Sequence, residues 1–406
     1  PSENAVRGCG AFQGMAPDAI ARLESELQPQ SFPAGALLLQ QGEQARGLLL
    51  VLRGAVDIID ARTGERIACD GVGSVLGEMS LLTGQPCSAR VRATSDVDAL
   101  VLSVDGYERL KGDHPELEIA LSQLVSDRLG GRRHDALCGK KIGNYRLDHC
   151  ISRGGMGVVY QANHLDSGEA VALKMLRHRF IYDDQMKGRF DQEAKLLAEL
   201  LHPNIISFRE HFLAFRTRFL VLDLCDGSDL YRVLQHHGPL NEATTRAILG
   251  QIALGLQYAH QSGVIHRDLK PANVLVDRCG QIRITDFGLS KLLQSESPDR
   301  KAVGTPAYMP PEQFRSDRPT ASGDWYALGC LAYEMLTGKI LFDGGNWMEI
   351  FDVKRHRVPS AAWPEFDASD QLRHVIAGAL QPLAAKRHLD LDAISEWAEP
   401  VDGLFG

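Results

Sequence analysis

The chain has 406 residues and a formal net charge of −8 at pH 7. This length exceeds what one hydrophobic core usually supports, so we expect roughly two or three domains. The acidic balance does not indicate a nucleic-acid-binding surface. The longest apolar run, residues 47–52, is too short to cross a membrane.

The eight cysteines are scattered, and none of them forms a C-x-x-C pair. This distribution predicts reduced thiols in a cytoplasm rather than a disulfide framework or a zinc site. No signal peptide opens the chain and its first residue is Pro1 rather than Met, so we expect the sequence to be a piece of a longer protein.

The first third of the chain has the pattern of a β-roll with helices on either side. Apolar spacing predicts a short helix over residues 17–28. From residue 32 to residue 104, short apolar runs alternate with glycine-containing turns, which is typical of a small roll or barrel. Residues 105–129 return to helical spacing.

A polar stretch at residues 266–273 carries the strongest chemical signal. The apolar runs around it predict a loop, a short hairpin and a second loop that ends at Asp286. Asp268 can accept a proton from a hydroxyl group, and Lys270 can neutralise charge on a transferring phosphoryl group. Asn273 and Asp286 supply the hard oxygen ligands that Mg²⁺ requires.

Residues 266–273 and 286–288 resemble the catalytic and metal-binding loops of protein kinases. Lys270, two residues after Asp268, resembles the serine/threonine branch, and the motif style is similar to that of bacterial eukaryotic-like kinases. The resemblance implies a bilobal kinase fold, ATP and Mg²⁺ as cofactors, and serine or threonine residues of proteins as acceptors.

The same resemblance implies an ATP site in the preceding residues. Lys174 would bind the ATP phosphates with Glu193 as its ion-pair partner. Ser152 replaces the first glycine of the glycine-rich loop, so we predict weaker binding of the nucleotide. The implied nucleotide-binding residues are Ile151, Ser152, Gly154, Gly157, Val159 and Lys174, followed by Asp223 and Cys225 at the hinge.

Further family landmarks lie on both sides of the activation segment, residues 289–312. Arg267 is expected to pair with a phosphate on this segment, and Ser295 and Ser297 are the predicted autophosphorylation sites. The remaining implied roles are a brace for the catalytic loop (Asp324), a buried ion pair (Glu312 and Arg387) and acids for basic substrate residues (Asp229 and Glu334).

Residues 75–89 resemble the phosphate-binding cassette of cyclic-nucleotide-binding domains. The family uses a Gly-Glu pair, here Gly77 and Glu78, to contact the ribose. It normally has an arginine after the cassette proline, but this chain has Cys87 there, followed by Ser88. A neutral thiol cannot replace a guanidinium on a cyclic phosphate, so we predict weak or absent binding of cAMP and cGMP.

These features predict an α+β chain: a cyclic-nucleotide-binding-like domain over residues 12–130, a linker over 131–143, and a bilobal kinase domain over 144–398. The lobes would cover about 144–222 and 226–398. We predict a cytoplasmic serine/threonine kinase under a sensor that is a candidate site for a small-molecule regulator. Two alternatives stay open. The chain could be a non-catalytic ATP-binding module, or its β-roll could serve only for dimerisation or docking. The sequence does not predict the oligomeric state.

Overall fold

The computed structural model describes residues 3–61, 64–114, 116–118, 120–121, 124, 137–154, 157–176, 194–214, 217–287, 306–315, 320–344, 347–356, 368–401 and 403. The chain divides into two units. The first unit is formed by Pro1–Tyr182 and His211–Val221, and the second by Asp183–Glu210 and Leu222–Gly406.

The N-terminal part of the first unit is a β-roll of two antiparallel four-stranded sheets. Its strands are β1 (Leu27–Phe32), β2 (Leu37–Leu39), β3 (Gly47–Arg53), β4 (Val56–Ile59), β5 (Arg66–Asp70), β6 (Val75–Leu76), β7 (Arg90–Ala93) and β8 (Val97–Ser103). The strand order is β1-β8-β3-β6 in one sheet and β2-β7-β4-β5 in the other. The β-roll that the short apolar runs predict is therefore confirmed.

Strand β3 is apolar along most of its length because it contributes to two cores. Leu48 and Leu50 belong to a cluster shared with the helices, whereas Leu49 and Val51 belong to a cluster between the two sheets. Successive side chains of a strand point to opposite faces, so an unbroken apolar run is what a strand covered on both faces requires.

Short helices flank the roll, and two of them differ in length from the prediction. The described helices are α1 (Glu3–Gly8), α2 (Pro17–Glu26), α3 (Glu78–Thr83) and α4 (Val104–Asp113). Helix α2 ends before the predicted residue 28 because Leu27 already pairs with Leu102 of β8. The helix predicted over 105–129 is interrupted after Asp113, and the described residues 116–118, 120–121 and 124 are helical again.

The first unit also contains most of a further antiparallel sheet, which has six strands. Its strands are β9 (Lys141–Ile142), β10 (Tyr145–Gly154), β11 (Gly157–His164), β12 (Ala170–Leu176), β13 (Phe208–Ala214) and β14 (Thr217–Asp223), in the order β13-β14-β12-β11-β10-β9. Ile142 pairs with Tyr145, so the sheet begins inside the stretch predicted as a linker.

The second unit is mainly helical. It contains β15 (Gly227–Asp229), α5 (Leu230–His237), α6 (Glu242–Gln261), β16 (Val274–Asp277), β17 (Ile282–Ile284), α7 (Ala321–Thr337), α8 (Trp347–His356), α9 (Asp370–Ala379) and α10 (Leu391–Ser395). Val274 of β16 pairs with Ile284 of β17, which confirms the predicted hairpin. Within the ranges described, the structure has no helix that is long and apolar enough to cross a membrane.

Candidate active site

One buried carboxylate holds the loop that carries Asp268. Asp324, in the first turn of α7, is 2% exposed. Its Oδ2 accepts a hydrogen bond from the backbone N–H of His266 at 2.8 Å, and its Oδ1 accepts one from the backbone N–H of Arg267 at 2.9 Å. Arg267 has a φ of 70°, in the left-handed region that side chains disfavour. Asp324 therefore stabilises a strained turn immediately before Asp268.

The carboxylate of Asp268 belongs to a hydrogen-bonded group of three side chains. Its Oδ2 accepts from Lys270 Nζ at 2.7 Å and from Asn273 Nδ2 at 3.3 Å. Asn273 Nδ2 also donates to the backbone carbonyl of Asp268 at 2.7 Å. Asp268 is only 7% exposed, so its carboxylate is held in place with a cation beside it.

The second loop is tied to the first through backbone contacts. Thr285 donates from its backbone N–H to the carbonyl of Asn273 at 2.9 Å. His266 Nδ1 faces the backbone N–H of Asp268 at 3.2 Å, so its Nε2 carries the hydrogen that is donated to the Thr285 carbonyl at 2.9 Å. These contacts fix the loop that contains Asp286 relative to the catalytic loop.

Asn273 and Asp286 suit a magnesium ion. The Asn273 amide nitrogen is engaged by Asp268, which leaves the amide oxygen as the ligand atom. Asp286 has a φ of 66°, a second left-handed residue in the described part of the chain. An amide oxygen and a carboxylate are hard ligands of the kind that Mg²⁺ prefers, so the donor set fits this metal.

In the first unit, Lys174 lies on β12 directly opposite Val159 of β11. Lys174 is 4% exposed, which is unusual for a lysine. Val159 pairs on its other side with Ser152 of β10, which follows Ile151. The proposed ion-pair partner of Lys174, Glu193, lies outside the described residues.

The hairpin of β10 and β11 places Gly154 opposite Gly157 at its tip. A Cβ atom on Gly157 would lie 2.0 Å from the carbonyl oxygen of Met175. Pairing of β11 with β12 therefore requires a glycine at position 157, independently of any nucleotide. A Cβ atom on Gly154 would meet no other atom within 4 Å, so the packing does not restrict this position.

The residues predicted to form the hinge lie at the end of β14 and just after it, in the second unit. Asp223 Oδ1 accepts a hydrogen bond from Arg209 Nε at 2.6 Å, and its backbone N–H donates to the Ser207 carbonyl at 3.0 Å. Burial raises the pKa of the Cys225 thiol to about 11. Contact of Asp223 and Cys225 with a nucleotide stays a prediction.

The cassette residues lie around helix α3 in the β-roll. Gly77 has a φ of 87°, and a Cβ there would lie 2.6 Å from the Gly47 carbonyl oxygen. Glu78 and Cys87 are buried, at 6% and 7% exposure, and Ser88 is half-buried. Burial raises the pKa of the Cys87 thiol, so this side chain is neutral near pH 7 and offers no positive charge.

A family model described as the protein kinase domain matches residues 145–391. This chain belongs to the protein kinase family. A second model, the cyclic nucleotide-binding domain, matches residues 29–114. The resemblances drawn from the motifs and the predicted α+β fold class are thus confirmed.

The chain is similar to bacterial serine/threonine kinases. Serine/threonine-protein kinase PkaA of Streptomyces coelicolor is 37% identical over 222 residues, or 51% of this chain and 41% of the relative. Probable serine/threonine-protein kinase PknB of Lactococcus lactis is 34% identical over 252 residues, or 61% and 40%. Serine/threonine-protein kinase pkn3 of Myxococcus xanthus is 33% identical over 286 residues, or 66% and 52%. The chain spans about half or less of the length of these relatives.

Two acids that the sequence suggested for substrate recognition have hydrogen-bond partners within the second unit. Asp229 is the N-cap of α5 and accepts from the backbone N–H of Arg232 at 2.8 Å. Glu334 lies inside α7 at 7% exposure and accepts from the Tyr308 hydroxyl at 2.6 Å. Contact of either carboxylate with a basic substrate residue stays a prediction.

The kinase domain contains the predicted pair of Glu312 and Arg387. Two nitrogens of the Arg387 guanidinium donate to the two carboxylate oxygens of Glu312 at 2.6 and 2.7 Å. Arg387 also donates to the backbone carbonyls of Gln381 at 2.7 Å and Ser322 at 3.1 Å. The residues that end the activation segment are thus fixed to the large lobe by a bidentate pair.

Arg267 has the environment expected of a phosphate-pairing arginine. Its Nε is buried and has no hydrogen-bond partner among the residues that the structure describes. Burial lowers the pKa of its guanidinium. The predicted phosphorylation sites, Ser295 and Ser297, lie outside the described residues, so the pairing stays a prediction.

The sequence patterns did not indicate a contact between the cassette and the small lobe of the kinase, here residues 137–176 and 211–221. Met79 of α3 is 8% exposed and belongs to the same core cluster as Leu137, Ile142 and Tyr145. Two side chains add hydrogen bonds: Gln85 Nε2 donates to the Lys141 carbonyl, and Lys140 Nζ donates to the Pro86 carbonyl. An apolar residue on a short helix and two polar residues carry no sequence signal for such a contact.

Proposed function

We propose that this chain is an ATP-dependent protein serine/threonine kinase whose activity is set by its β-roll. The observation that supports the catalytic part best is the group formed by Asp268, Lys270 and Asn273 on a loop stabilised by Asp324. Asp268 orients the acceptor hydroxyl and takes its proton as the acceptor oxygen bonds to the γ-phosphorus and ADP leaves. Lys270 balances the negative charge that accompanies this transfer.

Asn273 and Asp286 are the proposed magnesium ligands, and Lys174 with Glu193 is proposed to hold the nucleotide phosphates. Bound Mg²⁺ and ATP would supply the phosphoryl group and neutralise its charge. All eight cysteines lie in the described part of the chain and are free thiols, which supports a cytoplasmic location. The family matches give no support to the alternative of a non-catalytic module.

Phosphate transfer from radiolabelled ATP to a serine-containing protein substrate tests this function. We expect Asp268→Asn to abolish transfer while ATP binding is retained, because the substitution removes the proton acceptor and keeps the shape of the side chain. A chain that binds ATP but does not transfer phosphate in the wild-type form would instead be the non-catalytic module.

For substrate choice, we propose a preference for serine and threonine with a weak requirement for basic residues nearby. Asp229 and Glu334 support this because both carboxylates are engaged within the large lobe. A peptide array that shows a strict requirement for paired arginines would contradict it.

We further propose that the β-roll acts on the kinase through the contact between the cassette and the small lobe. Helix α3 bridges two cores: Met79 packs in the small-lobe cluster, and Leu82 packs against both that cluster and the helical cluster of the roll. Strand β9 receives the hydrogen bond from Gln85 and pairs directly with β10, which forms the glycine-rich hairpin. A change at the cassette can therefore reach the nucleotide-binding hairpin through one strand.

Substitutions in the full chain test this regulation. Met79→Asp and Gln85→Ala should each increase hydrogen exchange over residues 141–154 and raise the KM for ATP by about fivefold, the range of ordinary couplings between sites. Val72→Asp is the matched control, because Val72 belongs to the same roll and is 72% exposed. If exchange and the KM for ATP are the same in all three variants as in the wild type, the β-roll does not act through this contact.

A further inference from the structure

A lysine in the large lobe is buried under the end of the activation segment. Lys354 lies on α8 and is 0% exposed. Its Nζ donates to three backbone carbonyls: Pro306 at 2.7 Å, Ala307 at 2.7 Å and Met309 at 2.8 Å. An ammonium group has three N–H donors, so these carbonyls use all of them.

Three aromatic rings surround the same ammonium. Its nitrogen lies 4.8 Å from the ring centroid of Phe342, 5.2 Å from that of Tyr326 and 5.9 Å from that of Phe314. Aromatic faces attract cations at such distances, and the attraction is larger where water is excluded. The carbonyls and the rings together offset the cost of burying the charge.

One of the three carbonyls that Lys354 holds belongs to Met309, which lines the cavity that contains Asp268, and the other two belong to residues just before this lining. Tyr308, Met309 and Pro310 line this cavity together with Arg267 and Asp268. A backbone segment with converging carbonyls does not form a regular hydrogen-bonded element, so its shape depends on the donor that the carbonyls share.

We propose that Lys354 is a positioning residue for the protein substrate: by holding residues 306–309 it shapes the wall against which the residues next to the acceptor hydroxyl bind. This inference rests on the proposed kinase function. If Lys354 only stabilised the fold, an apolar residue of similar size would stabilise it about as well, because burying a charge first costs its hydration.

Steady-state kinetics of the full chain with a peptide substrate test the inference. Lys354→Met removes the three donors and keeps the length of the side chain. We expect the KM for peptide to rise about tenfold or more, with kcat and the KM for ATP changed less than about twofold, since the catalytic group and Lys174 are untouched.

Two variants on the same helix serve as controls. Arg355→Met removes an exposed charge, and Ile350→Ala opens a cavity at a residue that is 9% exposed. Ile350→Ala should lower the thermal midpoint without the selective change in the KM for peptide. If Lys354→Met shows wild-type KM for peptide, or changes it only as much as Ile350→Ala does, the lysine has a structural role alone. If the wild type transfers no phosphate, the proposed function fails instead.

The pH dependence gives a second measurement on the wild-type protein, which requires no substitution that could unfold it. Burial lowers the pKa of Lys354 to about 8. Deprotonation removes one of the three donors, so the KM for peptide should rise between pH 7 and pH 9 in the wild type and stay flat in Lys354→Met. A flat wild-type profile would overturn the inference.

The thiol and the phenol closest to Lys354 have pKa values above this window, because burial disfavours their charged forms. Burial raises the pKa of Cys330 to about 12 and that of Tyr326 well above its usual value, both on α7. Arg387 lies over the ring of Tyr326, and Asp352 and Arg355 on α8 are exposed. Because the folded-state pKa of Lys354 is below its ordinary 10.5, the unfolded chain binds more protons between these values, and this group raises the free energy of unfolding as pH increases. Deprotonation of Lys354 over this window therefore does not itself lower the free energy of unfolding.

Discussion

At the level of single residues, our prediction for what the β-roll binds depends on Cys87. The cassette retains Gly77 and the buried Glu78, but a neutral thiol stands where its family normally has an arginine. The cation that the structure places beside it is Lys140, whose ammonium donates to the neighbouring Pro86 carbonyl. The cassette thus lacks a bidentate partner for a cyclic phosphate at this position.

We predict that the full chain binds cAMP and cGMP weakly or not at all, and that Cys87→Arg raises the affinity. Loss of a hydrogen bond to a charged group costs about 1.5–3 kcal/mol, which corresponds to roughly tenfold to more than a hundredfold in Kd. Isothermal titration calorimetry measures both proteins. Micromolar or tighter binding by the wild type contradicts the prediction, and no gain in a folded Cys87→Arg variant means that the pocket is closed.

A second prediction for single residues concerns the ion pair of Glu312 and Arg387. The Arg387 side chain is 0% exposed and that of Glu312 is 18% exposed, so removal of one partner leaves a charge with little access to water. Glu312→Gln and Arg387→Met should each lower the free energy of unfolding by about 3–5 kcal/mol, and the double variant should lose less than the sum. Urea unfolding followed by tryptophan fluorescence reports this directly, because Trp325, Trp347, Trp363 and Trp397 are the four tryptophans and all lie in the second unit. Additive losses would mean that the two charges are not coupled.

At the level of elements, our prediction for the activation segment concerns its pairing with Arg267. Its buried Nε lacks a partner in the described part of the chain, and a phosphate would supply charge-assisted hydrogen bonds there. We predict that Ser297 becomes phosphorylated by the kinase itself, with Ser295 as the second site.

The Ser295→Ala/Ser297→Ala variant should lose activity by about tenfold or more, because the segment is no longer ordered by the phosphate. Arg267→Ala should still incorporate phosphate at these sites but gain no activity from it. Mass spectrometry of phosphopeptides together with peptide kinetics measures both effects. Full activity and an unchanged phosphopeptide map in the double alanine variant would show that activation uses other residues.

Elements with a clear apolar period were predicted well. Helix α6 begins after Asn241, whose side chain accepts from the Thr244 N–H, and its inward residues Ile248, Ile252 and Leu256 are each 0% exposed. Boundaries set by partners were not predicted. The helix predicted to reach residue 28 ends at Glu26 because Leu27 pairs with β8 as part of a strand. A local sequence pattern does not show which strand will lie beside a residue.

At the level of the whole molecule, the β-roll and the small lobe belong to one unit and share helix α3. We predict that the β-roll and the small lobe lose their protection against hydrogen exchange together. Leu102→Ala, at a residue 0% exposed in β8, should destabilise the roll by about 2–5 kcal/mol and also increase hydrogen exchange in β10–β12.

Ile248→Ala provides the control for this experiment, because it opens a cavity in α6 of the second unit and should lower the tryptophan-monitored transition instead. If the increase in exchange after Leu102→Ala is confined to residues 3–114, the roll and the small lobe open independently and the shared core is too weak to couple them.

The sequence by itself determined the family, the order of the two domains and the identity of the catalytic candidates. Asp268, Lys270, Asn273 and Asp286 lie within one short stretch, and residues close in sequence that serve one chemistry leave a readable motif. The same holds for the replacement at Cys87, which is visible because its position is defined by the proline before it.

Only the tertiary structure decided how Met79 and Lys354 are used. Met79 packs in the same core cluster as Leu137, and Lys354 donates hydrogen bonds to carbonyls of residues that are 45 to 48 positions away in the chain. Backbone carbonyls carry no side-chain signature, and an apolar residue on a short helix has the same pattern whichever core it enters. The tertiary structure also showed that Glu334 accepts a hydrogen bond from Tyr308. A carboxylate buried in an apolar helix needs a hydrogen-bond donor, and here another element supplies it.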